Sequence, residues 1–139
     1  RMDNMSDTGI GTLARKCVSL TEFNDRNRVK VVLNREQRAV YFSRLPIPSG
    51  AEADDALVHI GIYVFNRKVL EHLVGIARST LAANEDLEQL DWIFDGGTIL
   101  TEVVNWTVPS VDDRTDVVEL ENWLSNLSAK DLERGDSRG

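Results

Sequence analysis

Cysteine, proline and aromatic residues are scarce in this chain of 139 residues, which has one cysteine, three prolines and 6% aromatic residues. A single cysteine cannot form an intrachain disulfide, so Cys17 is interpreted as a small core residue rather than a nucleophile. No stretch approaches the roughly 18 consecutive apolar residues of a membrane span. Residues 1–8 lack the features of a secretory signal, which favours the cytoplasm as the location. The chain begins with Arg1, which indicates that it has been cut from something longer.

The sequence also lacks the short motifs that identify common catalytic centres: there is no G-x-G-x-x-G, Walker A, C-x-x-C, H-E-x-x-H or G-x-S-x-G. The two histidines, His59 and His72, do not have the spacing of paired metal ligands, and His72 is expected at the surface. The net charge of -7 argues against a nucleic-acid partner. Five basic residues with acids nearby are expected on a solvated hairpin face: Arg26, Arg28, Lys30, Arg35 and Arg38.

The hydropathy pattern predicts one α/β domain, residues 1–129, and a polar tail, 130–139. Strands are predicted at 10–18, 29–33, 38–43, 57–65 and 98–106, and a loop or short turn at 21–28. Helices are predicted at 66–77 and 79–94 and from Thr115 or Asp116 onward. Because hairpin and crossover connections both occur, the sheet is expected to be mixed in direction.

The apolar run at 57–65 is typical of a central strand, yet it contains His59, Gly61 and Tyr63. A period of two places all three on one face, with the glycine leaving a gap between two hydrogen-bonding side chains. This face could line a ligand pocket, or it could be ordinary core with a satisfied histidine.

Two further clusters carry polar chemistry. Glu85, Glu88 and Gln89 share one face of the predicted second helix and could bind a polyhydroxylated ligand, or they could be a solvated helix face. Asp112 follows a strand-like segment and a proline, where a carboxylate could ligate Mg²⁺ or simply cap a helix.

Several segments in order resemble the 3-deoxy-manno-octulosonate cytidylyltransferase (CMP-Kdo synthetase) family, and the resemblance runs from about Ile10 to Leu124. They are Val29–Leu33, Ala39–Arg44 with Ile47-Pro48, His59–Tyr63, Leu87–Leu90, and Val108-Pro109 with Val111-Asp112.

The resemblance implies a nucleotidyltransferase-like mixed sheet with flanking helices and an enzyme that joins CTP to the sugar acid Kdo. His59, Tyr63, Glu88 and Gln89 match residues that line the sugar pocket, and Arg44 could meet the sugar carboxylate. Asp112 matches an aspartate that helps hold Mg²⁺. The family is usually dimeric, and the hairpin with the 57–65 strand resembles its interface.

The resemblance further implies that this chain is the C-terminal portion of the family, without the N-terminal loop that grips CTP and the other metal-binding aspartate. It would then act as a homodimer or together with the missing part. The alternative is a non-catalytic sugar-binding or dimerisation module derived from the family.

Overall fold

The computed structural model describes residues 9–105 together with Val117, Val118 and Glu121. The chain divides into two units, Arg1–Trp106 and Thr107–Gly139, and the fold below belongs to the first. Val117, Val118 and Glu121 are helical, as predicted for the third helix. The remainder of that helix, Asp112 and the expected boundary at 129 lie outside the described residues.

The described part of the first unit contains five strands and four α-helices. The strands are β1 (Gly9–Lys16), β2 (Lys30–Leu33), β3 (Ala39–Ser43), β4 (Leu57–Phe65) and β5 (Thr98–Val104). The helices are α1 (Leu20–Asn24), α2 (Arg67–Leu73), α3 (Thr80–Glu85) and α4 (Gln89–Phe94), with a 3₁₀ turn at Ala53–Asp55.

The five strands form one sheet in the order β3-β2-β4-β1-β5. β5 runs parallel to β1, whereas the other neighbouring pairs are antiparallel. This confirms the predicted mixed sheet. β4 lies between β2 and β1, so the apolar run is a central strand, although its Gly61, Ile62 and Val64 are exposed.

The two edges of this sheet meet through the hairpin turn. Arg38 pairs with Leu100 in an isolated antiparallel bridge, and the Thr101 amide donates to the Gln37 carbonyl at 2.8 Å. The sheet therefore curls around one face, which holds Ile10, Ile99 and the hairpin's Phe42 in the core. A second, smaller cluster contains Cys17, Phe23, Ala56 and Val58, so the interpretation of Cys17 as a core residue is confirmed.

Residues 20–24 form a short helix, so the prediction of a loop or turn across 21–28 is wrong for this part. Ser19 caps α1 by accepting a hydrogen bond from the Glu22 amide, and Phe23 is buried beneath the helix. The cap and a single buried aromatic stabilise one helical turn that has no extended apolar periodicity.

The prediction of one helix over 79–94 is also wrong in one respect, because this range contains two helices. Asp86 adopts a left-handed conformation with φ of 55°, and its amide donates to the Ala82 carbonyl, which ends α3. The Leu87 amide donates to the same carbonyl at 3.1 Å. The chain then turns into α4, so the residues before and after Asp86 do not share one helical face.

Candidate functional site

A two-residue irregularity in β4 shapes the candidate site. Thr12 pairs with Tyr63 and Leu13 pairs with Ile60, so Gly61 and Ile62 have no partners on β1. His59 and Tyr63 consequently pair with Ala14 and Thr12, which are only two positions apart. The shared face of His59 and Tyr63 is confirmed. The expected gap between them is wrong, because Gly61 is displaced outward and an added Cβ there would meet no atom within 4 Å.

His59 is held from two sides. Its Nε2 lies 2.9 Å from the hydroxyl of Thr12, and its ring meets the ring of Phe42 edge-on with a centroid distance of 5.0 Å. Burial lowers the pKa of His59 to about 4, because the charged imidazolium loses its hydration. The side chain is therefore a neutral imidazole at physiological pH.

Tyr63 lies at the centre of an aromatic group. Its ring centroid is 5.3 Å from that of His59, 5.0 Å from that of Trp92 and 5.9 Å from that of Phe65. Burial raises the pKa of Tyr63, and the negative charge of Glu88 raises it further. The phenol thus stays protonated, and Glu88 lies close enough to act on it electrostatically.

Glu88 and Gln89 stand at the start of α4. Glu88 is exposed at the N-cap, whereas Gln89 is only 5% exposed. Gln89 and Trp92 are three residues apart and share one side of α4, and the Trp92 ring packs edge-on against Tyr63. Tyr63 thus links His59 with the start of α4, and we call His59, Tyr63, Glu88 and Gln89 the β4–α4 cluster.

Glu85 does not belong to this cluster, and its expected place on a face with Glu88 and Gln89 is wrong. Its carboxylate accepts hydrogen bonds from the Ser43 hydroxyl at 2.9 and 3.0 Å and from the Arg44 amide at 3.1 Å. The Tyr41 hydroxyl donates to it at 3.3 Å. Glu85 therefore fastens the end of α3 to the end of β3.

Arg44 lies at the same junction. Its guanidinium donates to the backbone carbonyls of Arg26, Glu85 and Asp86 at 3.3, 3.2 and 3.3 Å. These bonds stabilise the turn that leads into Glu88. These bonds use three of the five N–H groups of the guanidinium, so two N–H groups are left to meet a sugar carboxylate.

Sequence reasoning placed Lys30 on a solvated face, and this is wrong. Lys30 is fully buried, and its ammonium donates to the carbonyls of Asp25, Arg28 and Arg44 at 2.8, 2.5 and 2.8 Å. Burial lowers its pKa. The alternation of apolar and polar residues cannot show that three carbonyls converge on one amine.

A separate cavity of about 220 Å³ opens beside α2 and the end of α4, lined by Ile10, Val69, Leu73 and Trp92 among others. His72 and Asp95 also line it, and their side chains lie 2.8 Å apart. The His72 side chain is 69% exposed, which confirms the predicted surface position.

Within the part of the chain that the structure describes, no three metal-type side chains come close enough to hold an ion. The described residues therefore do not fit a magnesium site by themselves, and the metal candidate Asp112 is outside them. Over the same residues, no helix has the length and apolar character needed to cross a bilayer.

A solved structure with a similar fold is the CMP:2-keto-3-deoxy-manno-octonic acid synthetase in complex with CTP. The TM-score is 0.80 at 33% sequence identity, over 89% of this chain and 52% of that one. The curled mixed sheet with its flanking helices is therefore the architecture of half of a nucleotide-sugar synthetase.

The family model described as Cytidylyltransferase matches residues 2–99, and the chain belongs to this family. The 3-deoxy-manno-octulosonate cytidylyltransferase of Chlamydia pneumoniae is 38% identical over 108 residues, 77% of this chain and 42% of that enzyme. The enzyme of the same name from Thermodesulfovibrio yellowstonii is 34% identical over 135 residues, 91% of this chain and 52% of the relative.

These matches confirm the resemblance at the level of the family. The chain spans about half the length of the curated relatives it matches. The family match begins at residue 2, and it does not support the expectation that the chain is a C-terminal portion whose N-terminal nucleotide-binding part is missing.

Proposed function

We propose that this chain supplies the sugar-acid side of a cytidylyltransferase active site, with Kdo as the sugar acid and CTP as the nucleotide. The β4–α4 cluster carries this proposal, because it joins a neutral imidazole, a protonated phenol, a carboxylate and a buried amide within one small region. Such groups accept from and donate to sugar hydroxyls without requiring a charged ligand.

In the proposed reaction the anomeric hydroxyl oxygen of the sugar bonds to the α-phosphorus of CTP. The hydroxyl proton is lost, and pyrophosphate leaves with the electron pair of the broken P–O bond. The products are CMP-Kdo, as needed for lipopolysaccharide biosynthesis, and pyrophosphate. No covalent intermediate on the protein is required, so the chain would contribute by positioning the sugar.

Each sugar-side residue has a distinct proposed role. His59 and Tyr63 contact hydroxyls from the sheet, while Glu88 and Gln89 do so from the start of α4. Arg44 is proposed to meet the sugar carboxylate with the two N–H groups that do not donate to backbone carbonyls. We also propose that Asp112 helps to hold Mg²⁺. The proposed contacts of the four cluster residues with the sugar do not require this metal ion.

The nucleotide contacts are proposed to come from the part of the relatives' length that this chain does not span. The chain alone is then expected to bind the sugar acid and to release no pyrophosphate from CTP. Isothermal titration with Kdo and with CTP separately tests this. Saturable heat with Kdo supports the proposal, and its absence contradicts it.

Charge variants sharpen this titration. Glu88→Gln removes the carboxylate of the cluster and is expected to weaken Kdo binding about three- to tenfold, the value of one or two hydrogen bonds. Glu36→Gln makes the same change in the hairpin turn, where the side chain is 69% exposed, and is expected to leave the affinity unchanged.

The second candidate is a non-catalytic sugar-binding or dimerisation module, and exposed apolar side chains favour it. Several apolar side chains of the hairpin region and β4 are exposed: Val40 52%, Leu45 50%, Ile62 53% and Val64 43%. These side chains support a proposed homodimer in the cytoplasm. A monodisperse monomer at micromolar concentration would argue against the dimer. Pyrophosphate release by the chain mixed with CTP and Kdo would exclude the module.

A further inference from the structure

Thr12 is the link between the β4 irregularity and His59. It is 5% exposed, and its hydroxyl lies 2.9 Å from the Ile62 carbonyl and 3.4 Å from the Ile60 carbonyl, as well as 2.9 Å from His59 Nε2. Ile62 lies in the stretch of β4 that leaves the regular pairing with β1, and Ile60, paired with Leu13, is the last paired residue before it.

The hydroxyl has one proton to share among these neighbours. A carbonyl oxygen can only accept, so a hydroxyl oxygen at 2.9 Å from the Ile62 carbonyl must direct its proton there. The Thr12 oxygen is then an acceptor toward His59, and the imidazole must carry its proton on Nε2. Nδ1 is left as an unprotonated acceptor, and among residues 9–105 no hydrogen bond to it is present.

We propose that Thr12 is a positioning residue that holds His59 in the Nε2–H tautomer, so that Nδ1 accepts a hydrogen bond from a hydroxyl of the sugar. The part of this inference that concerns the sugar rests on the proposed function, whereas the part that concerns the tautomer does not. The low pKa of His59 supports the same assignment, because a neutral imidazole offers one donor and one acceptor.

This tautomer has a consequence for specificity. An unprotonated Nδ1 repels a carboxylate oxygen and cannot bond to an ether oxygen, since neither brings a proton. The group of the ligand that faces His59 must therefore be a hydroxyl or another hydrogen donor.

The experiment uses the full chain labelled with ¹⁵N at its histidines. Only two histidines are present, and His72→Gln assigns the spectrum. Long-range ¹H–¹⁵N correlation at pH 7 is expected to show Nε2 of His59 as the protonated nitrogen and Nδ1 as the unprotonated one. A His59 that carries its proton on Nδ1 overturns the inference.

Two substitutions at Thr12 test the sugar part. Thr12→Val removes the hydroxyl at nearly constant volume, while Thr12→Ser keeps it. Thr12→Val is expected to change the tautomer signals and to weaken Kdo binding roughly three- to tenfold, with Thr12→Ser close to the unmodified chain in both. Equal affinity of both variants for Kdo overturns the positioning role of Thr12 in sugar binding. If the unmodified chain shows the Nε2–H tautomer and does not bind Kdo, the proposed function fails and the tautomer assignment stands.

Discussion

The rings of His59 and Tyr63 lie 5.3 Å apart although four positions separate the two residues on one strand. In a regular strand residues i and i+4 are about 13 Å apart along the axis. The displacement of Gly61 and Ile62 from the ladder with β1 shortens this separation. Thr12 fills the irregularity with its hydroxyl, and Trp92 from α4 packs on Tyr63. A backbone irregularity thus creates the side-chain cluster on which the proposed function rests.

The first prediction concerns pH. The pKa of His59 is about 4 in the folded chain against 6.5 in the unfolded chain, so the unfolded state binds more protons between these values. Stability is therefore present above about pH 6.5 and is lost as the pH falls toward 4, by roughly 3 kcal/mol for this group. Urea unfolding at several pH values measures this loss.

A matched pair of variants isolates the histidine from the carboxylates that titrate in the same range. His59→Gln is expected to flatten the dependence of unfolding free energy on pH between 4 and 6.5. His72→Gln, at an exposed position, is expected to retain it. Identical slopes for the His59 variant and the unmodified chain would refute a buried neutral His59.

The second prediction concerns the contact between Glu85 and Ser43. Glu85→Gln replaces one of the two oxygens that accept from Ser43, Tyr41 and Arg44 with a donor, so at least one of these bonds loses its acceptor. We expect a loss of about 1–3 kcal/mol in unfolding free energy, as for a broken charge-assisted bond. Glu71→Gln, on the surface of α2, is the control and is expected to cost less than about 0.5 kcal/mol. Equal costs would show that Glu85 does not fasten α3 to β3.

The third prediction concerns the buried ammonium of Lys30. Lys30→Met keeps an unbranched apolar stem of similar length but removes the ammonium. The carbonyls of Asp25, Arg28 and Arg44 are then without their shared donor. Leaving such groups unsatisfied is expected to destabilise the fold by about 2–4 kcal/mol. Lys68→Met on exposed α2 provides the comparison, with an expected change within about 0.5 kcal/mol. A Lys30→Met chain as stable as the Lys68→Met chain would contradict the convergence of the three carbonyls.

The fourth prediction contrasts two glycines. A Cβ added at Gly97 would lie 2.6 Å from the Trp92 carbonyl oxygen, which is backbone and cannot move freely. Gly97→Ala is therefore expected to cost about 1–3 kcal/mol. Gly61→Ala meets open space and is expected to change stability by less than about 0.5 kcal/mol, and thermal unfolding compares the two. If both substitutions cost the same, the close approach of Gly97 to Trp92 is refuted.

The strands could be predicted from the sequence because runs of β-branched residues separated by turn residues are typical of strands and not of helices. The predicted 57–65 strand coincides with β4, and the helices predicted to begin at 66 and 79 have Asn66 and Ser79 as their N-caps. The break at Asp86 could not be predicted in this way, because a left-handed aspartate does not change the spacing of the apolar residues around it.

The residues of the β4–α4 cluster could be singled out as candidates from the sequence, but their geometry could not. The family resemblance identified His59, Tyr63, Glu88 and Gln89, which the structure brings together. It could not show the displacement of Gly61, which depends on the pairing of β4 with Thr12 and Leu13. The roles of Lys30 and Glu85 were also missed, since both depend on backbone groups that meet only after folding.

The central claim, that the β4–α4 cluster binds a sugar acid, is tested most directly by ¹H–¹⁵N chemical-shift mapping of the full chain titrated with Kdo. We predict saturable changes concentrated at residues 59–63 and 88–89, with the midpoint for the Thr12→Val chain at about three- to tenfold higher Kdo. Absence of any response, or changes confined to the His72 and Asp95 cavity, would contradict the account.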